Sequence, residues 1–165
     1  KAITKLETLD DNQLIILYHN ALNLIEKDNH IDVAYDQISL IESEWASRVE
    51  KYMMGISKST RPDDGLLSTM GYKVGKDGVS RQRREILLSN ILTRTIPFCG
   101  SPAYMIEWGA PNTRKRYNKL TTVIQRLIIK NKNMPGIEKA IIEWNEDLIY
   151  LKENYRNVFP KPYIN

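Results

Sequence analysis

The sequence has one cysteine, Cys99, in 165 residues. An internal disulfide is therefore excluded, and a lone thiol suits a reducing compartment. Long apolar runs are also missing. None approaches the ~20 residues that span a bilayer, and no secretory apolar segment opens the chain. No membrane partner is expected, and the expected setting is the cytoplasm. Histidine is scarce: His19 and His30 stand 11 residues apart with no second ligand pair, so a metal site is not expected. The chain opens on Lys1 rather than Met, a start expected of a fragment or a trimmed chain.

Catalytic patterns are missing too. Pro62-Asp63 opens like a metal-nuclease signature, but no acidic-x-Lys triplet follows it. Glu146 and Asp147 are adjacent, and adjacent helical positions point about 100° apart, which makes a poor acid/base pair. Cys99 has no neighbouring histidine or cation to lower its pKa and reads as a packing thiol. The expectation is a protein without enzymatic activity and without a cofactor.

What remains is ordinary in bulk and unusual in layout. Hydrophobic content is 42% and charged content 27%, and a chain of this length buries roughly 70% of its unfolded surface in one domain. Residues 1–50 carry 4 basic and 10 acidic side chains, residues 51–136 carry 16 and 5, and residues 137–165 carry 4 and 5. A basic middle between acidic flanks points either to an anionic partner or to internal docking of the charge blocks.

Periodicity predicts an all-α, single-domain chain: a compact bundle of five to seven helices with a short Gly-rich irregular insertion. An acidic helical hairpin spans about 9–54, with Leu14, Leu17, Tyr18, Ala21 and Ile25 on one face of its first helix and Ala34, Ile38, Ile41, Trp45, Val49 and Tyr52 at spacings of three and four in its second. An irregular segment covers about 55–79, punctuated by glycines and by Asp63 and Asp64. Within it, Leu66 to Met70 read as a short helix and Val74 to Val79 as a tight turn or small hairpin. Basic helices follow over about 80–132, and a last helix over about 137–155 carries a stripe of Ile137, Ala140, Ile141, Trp144, Leu148, Leu151 and Tyr155. The three tryptophans read as core anchors. Residues 157–165 read as a surface tail.

One feature occurs twice. Ser80 is followed by Arg81, Arg83 and Arg84, and Thr113 by Arg114, Lys115 and Arg116. Each cluster falls in the first turn of a predicted helix, where the partial positive charge disfavours cations. A compensating anion is required. A phosphate satisfies the arginines and the unpaired N–H groups together; carboxylates at Asp63, Asp64, Asp77, Glu107 or in the acidic first third do so as well. Along the second helix, Lys115, Lys119, Arg126 and Lys130 share one face opposite Tyr117, Leu120, Ile124, Leu127 and Ile128, as a helix laid along a phosphate backbone requires.

The run Gly71-Tyr72-Lys73-Val74-Gly75-Lys76-Asp77-Gly78 fails as a phosphate loop. Its spacing is one residue short, and Asp77 stands where Ser or Thr would hold magnesium. It reads as a turn.

The blocks Ile41-Glu42-Ser43-Glu44-Trp45, Gly65-Leu66-Leu67 with Gly71-Tyr72-Lys73-Val74-Gly75, Arg83-Arg84-Glu85-Ile86-Leu87, Glu107-Trp108-Gly109-Ala110-Pro111, and Trp144 with Asp147-Leu148, Leu151-Lys152 and Tyr155 give nearly the whole chain a likeness. It resembles a helical module of uncharacterised bacterial, phage- or mobile-element-like proteins. The resemblance implies a helical fold and such an origin, and no site residues.

The leading expectation is a module binding nucleic acid by its phosphates, with low sequence specificity, through Arg81, Arg83, Arg84, Arg114, Lys115, Arg116, Lys119, Arg126 and Lys130. The alternative is a protein–protein adaptor or regulatory domain, in which the basic residues pair within the protein.

Overall fold

The computed structural model of the protein describes residues 5–59 and 65–160. Among these residues the chain is all-α, with seven α-helices, one 3₁₀ turn and no strand. No helix among them is long and apolar enough to cross a membrane. Asp63 and Asp64, and the tail beyond Pro160, lie outside the described residues. The chain divides into two compact units. The first takes the described residues up to Met70 together with Thr95–Met105, and the second takes Gly71–Arg94 and the residues from Ile106 onward.

The first unit contains the 3₁₀ turn Leu6–Thr8, α1 (Asp11–Glu26), α2 (Ile31–Met53) and α3 (Leu66–Thr69). Asp10 caps α1 in a capping box with Gln13, both bonds at 2.8 Å, which satisfies two amide groups that a helix start otherwise leaves open. The α1 stripe of Leu14, Tyr18, Ala21, Leu22 and Ile25 is buried, as are Ala34, Ile38, Ile41 and Trp45 of α2. The two helices pack along each other, with the Tyr18 and Trp45 rings 5.0 Å apart. Arg48 ties down the preceding turn: it donates to Asp11 at 2.9 Å, to Glu44 at 2.8 Å, and to the Leu6 and Leu9 carbonyls. In residues 95–105, Ile96 and Cys99 are buried, and Tyr104 accepts from the Leu66 amide at 2.9 Å.

The second unit contains α4 (Arg81–Thr93), α6 (Arg114–Asn131) and α7 (Glu138–Tyr155); the division falls inside α5 (Pro102–Trp108). α7 packs on both α4 and α6, and α4 also meets α6. Leu87, Leu88, Ile91, Leu120, Ile124, Trp144, Leu148 and Leu151 form the core. From Arg83 onward α4 is buried on nearly every side, its Arg83, Arg84 and Asn90 included. The residues read as the start of a surface tail include a core member instead. Phe159 is 6% exposed, stacked on Tyr155 and set beside Tyr117.

Before α4, residues 71–79 form a turn and not a hairpin: Gly78 donates to the Gly75 carbonyl and Val79 to that of Lys73. A Cβ on Gly78 would stand 2.7 Å from the Val74 carbonyl carbon. The turn therefore excludes any side chain at that position.

Candidate functional site

The two arginine-rich helix starts exist where the sequence places them. Ser80 caps α4 by accepting from the Arg83 amide at 3.1 Å, and Thr113 caps α6 by accepting from the Arg116 amide at 3.2 Å. Their arginines do not face outward as a set. Arg84 is 2% exposed, Arg116 3% and Arg83 8%. Arg84 and Arg116 turn their guanidiniums onto internal partners, which corrects the expectation that these two contact an external phosphate, and Arg83 is buried as well.

Arg84 points onto α7. Its Nε donates to Asp147 at 2.9 and 3.2 Å, Nη1 to Glu143, and Nη2 to Glu146 at 3.3 Å. Glu143, Glu146 and Asp147 lie at i, i+3 and i+4, so one helical face delivers all three. The glycine turn joins the same cluster: the Gly75 amide donates to Glu143 at 2.9 Å, and the Tyr72 hydroxyl donates to Asp147. The anion demanded by the start of α4 is thus a set of internal carboxylates. None of them is among the carboxylates the sequence nominates.

Arg116 solves a different problem. It donates to the carbonyls of Ile91 (3.1 Å), Arg94 (2.8 Å) and Gly109 (2.6 Å). These carbonyls belong to the C-terminal ends of α4 and α5, which carry partial negative charge. The cation that looks misplaced at the start of its own helix caps the ends of two others. Burial pulls its guanidinium down to about 10, so it stays charged at neutral pH.

The remaining basic positions divide again. Arg81 is exposed and pairs with Glu85 on its own helix at 3.2 Å. Arg114 lies over the Tyr117 ring and donates to the Phe159 carbonyl at 2.6 Å. Lys119 bonds Glu107 at 2.8 Å, and this contact holds the Glu107 carboxyl below its ordinary range. Lys115, Arg126 and Lys130 are exposed on α6. Sequence reasoning therefore brings forward nine residues, and the structure leaves three of them as a solvent-facing row.

Burial and the Asp147 charge push the Tyr72 hydroxyl far above the ordinary tyrosine range. In the unfolded chain it ionises near pH 10. Above that pH the unfolded state holds fewer protons, so stability falls by about 1.4 kcal/mol per pH unit for this group, and below it the contribution is constant. Tyr52 and Tyr150 are also raised, each chiefly by burial, and add slopes of their own. Denaturation midpoints between pH 9 and about 11 are expected to decline less steeply in Tyr72→Phe than in the wild type. Parallel declines would contradict the assignment.

Among the described residues no group of three or more His, Cys, Asp or Glu is arranged to hold a metal ion. No protein-family model, curated protein or solved structure matches the chain.

Proposed function

We propose that the protein is a non-catalytic helical module that binds nucleic acid weakly along the solvent face of α6. The observation that carries this reading is an 18-residue helix without a carboxylate, on which Lys115, Arg126 and Lys130 stand exposed. They fall within about 60° of one another and span about 22 Å of helix. Thr122 shares the face as a hydrogen-bonding group, and Ile129 interrupts it. Lys119 lies on the same side but is engaged with Glu107.

The charge of the unit supports the reading independently. Its described residues include 16 basic and 8 acidic side chains, net +8. Internal pairing leaves that sum unchanged, and the resulting field draws polyanions toward α6. Contacts of this kind address phosphates and carry no base information. The carboxylates that come together are engaged by arginines, Glu143, Glu146 and Asp147 by Arg84 and Asp11 and Glu44 by Arg48, which supports a binding role over catalysis.

Three engaged phosphates give a log–log slope of affinity against salt near −2.7 on duplex DNA. Fluorescence anisotropy with a labelled duplex at several salt concentrations is expected to show such a slope. Heparin is expected to compete. The triple variant Lys115→Ala, Arg126→Ala, Lys130→Ala is expected to lose most of the binding while melting as the wild type does, because all three side chains are exposed. Binding that ignores salt, or that survives the triple variant, would overturn the proposal.

A further inference from the structure

The first unit has the opposite charge and a different surface. Its described residues include 5 basic and 10 acidic side chains, net −5. From Asp10 to Ser47 there are eight carboxylates and one cation, Lys27. Lys27 follows the end of α1, ten residues beyond Leu17 or about 15 Å along the helix.

On this acidic hairpin lies a groove of about 440 Å³. Leu6, Leu9, Ile16, Leu17 and Leu40 line it with two glutamines, Gln13 and Gln37, and none of the lining side chains is charged. Ile16 is 58% exposed and Leu40 63%; Val33, two turns before Leu40 on the same side of α2, is 60% exposed. Large apolar side chains opened to water along a continuous face cost free energy that a covering partner recovers. Exposed carboxylates stand close to the groove's lining residues in sequence: Asp10 next to Leu9, Asp36 next to Gln37 with Asp32 one turn earlier, and Glu7 next to Leu6. Lys5, on the other side of Leu6, is the cation nearest the groove in sequence. Arg48 is turned onto Asp11, Glu44 and the Leu6 and Leu9 carbonyls.

The geometry points to this groove as the docking site for a basic amphipathic helix of a protein partner. The occupant places two or three large apolar side chains, at i, i+3 or i+4 and i+7, against Ile16, Leu17 and Leu40. Its flanking lysines or arginines meet Asp10, Asp32 and Asp36. An uncharged floor supplies the affinity, and these carboxylates select the sign of the partner and speed encounter. The inference rests on the α1–α2 hairpin and stands or falls apart from the α6 reading.

The test is an anisotropy titration of the intact protein with a labelled helical peptide of about 18 residues, some five turns. Leucines occupy one face of the peptide and lysines the other. A second peptide replaces the lysines with glutamates, and a third scrambles the order of the first. The lysine peptide is expected to bind at least about tenfold more tightly than either control, and more weakly as salt rises. Ile16→Ser with Leu40→Ser is expected to weaken it by about tenfold or more while leaving the melting curve in place, since both side chains are already solvent-exposed. Asp32→Asn with Asp36→Asn is expected to reduce the salt dependence. Equal affinity for the lysine and glutamate peptides, or binding unchanged by the Ile16 and Leu40 substitutions, overturns the proposal. Sedimentation showing a dimer that those same substitutions dissolve also overturns it, because the occupant is then a second copy of the chain.

Discussion

Arg84→Ala is expected to lower stability by about 3–5 kcal/mol, the cost of leaving buried charges without their partner. Three carboxylates converge on this guanidinium, and Asp147 is 1% exposed. Burial raises the Asp147 pKa even with Tyr72 and Arg84 donating to it, so Arg84 is what keeps an anion tolerable there. Without it, Asp147 must take up a proton or the cluster must open to water. The midpoint of urea denaturation, followed by tryptophan fluorescence, measures the loss. Adding Asp147→Asn to an Arg84→Met background is expected to recover part of it, because removing both charges avoids the unpaired one. A midpoint for Arg84→Ala close to wild type would show that the cluster is already hydrated. The same experiment separates this residue from the α6 row, where alanine is expected to change binding and not folding.

The second large effect is expected at Trp144. It lies on α7 among Ala140, Leu148 and Leu151 and is 7% exposed. Truncation to alanine removes a large side chain from a packed interior, at about 3–5 kcal/mol. Trp144→Phe is expected to cost much less. The indole Nε1 is buried without a hydrogen-bond acceptor, so the smaller ring gives up packing volume but also removes an unpaired donor. Thermal melts of the two variants should differ by most of the alanine effect. Equal losses would mean that ring size alone decides stability at this position.

Helix positions were readable because apolar spacing agrees with the capping residues, Ser80 outright and one of two neighbours at Asp10 or Asp11 and at Asn112 or Thr113, which the structure resolves to Asp10 and Thr113. The destinations of the charged side chains were not readable from the dipole rule. That rule says that a cation in a first turn needs compensation, but not where the compensation sits. A different signal was available. Asp147 follows Trp144 by three and precedes Leu151 by four, so it falls within a buried stripe. Arg84 stands three before Leu87 in the same way, and Asp11 three before Leu14. A charged residue in register with a core stripe requires an opposite charge from another element. Taken as a set, Asp147 with Arg84 and Asp11 with Arg48 were the pairs to expect. Arg116 was beyond such reasoning, since its partners are backbone carbonyls and have no signature in side-chain order. α4 was misread for a related reason. From Arg83 onward the helix is enclosed on nearly all sides, so of its three arginines only Arg81 stands exposed.

The chain changes units three times, after Met70, Arg94 and Met105. Each unit is therefore built from two separated stretches, and any continuous stretch that holds the whole of one also carries part of the other. A fragment ending at Met70 lacks Ile96 and Cys99, both buried within the first unit. A fragment beginning at Gly71 carries residues 95–105 without the helices they serve. Truncation at Met70 or Gly71 therefore does not separate the two units cleanly. Fragment complementation is the suitable format, with two co-expressed pieces that each hold part of both cores and regain helicity only on association.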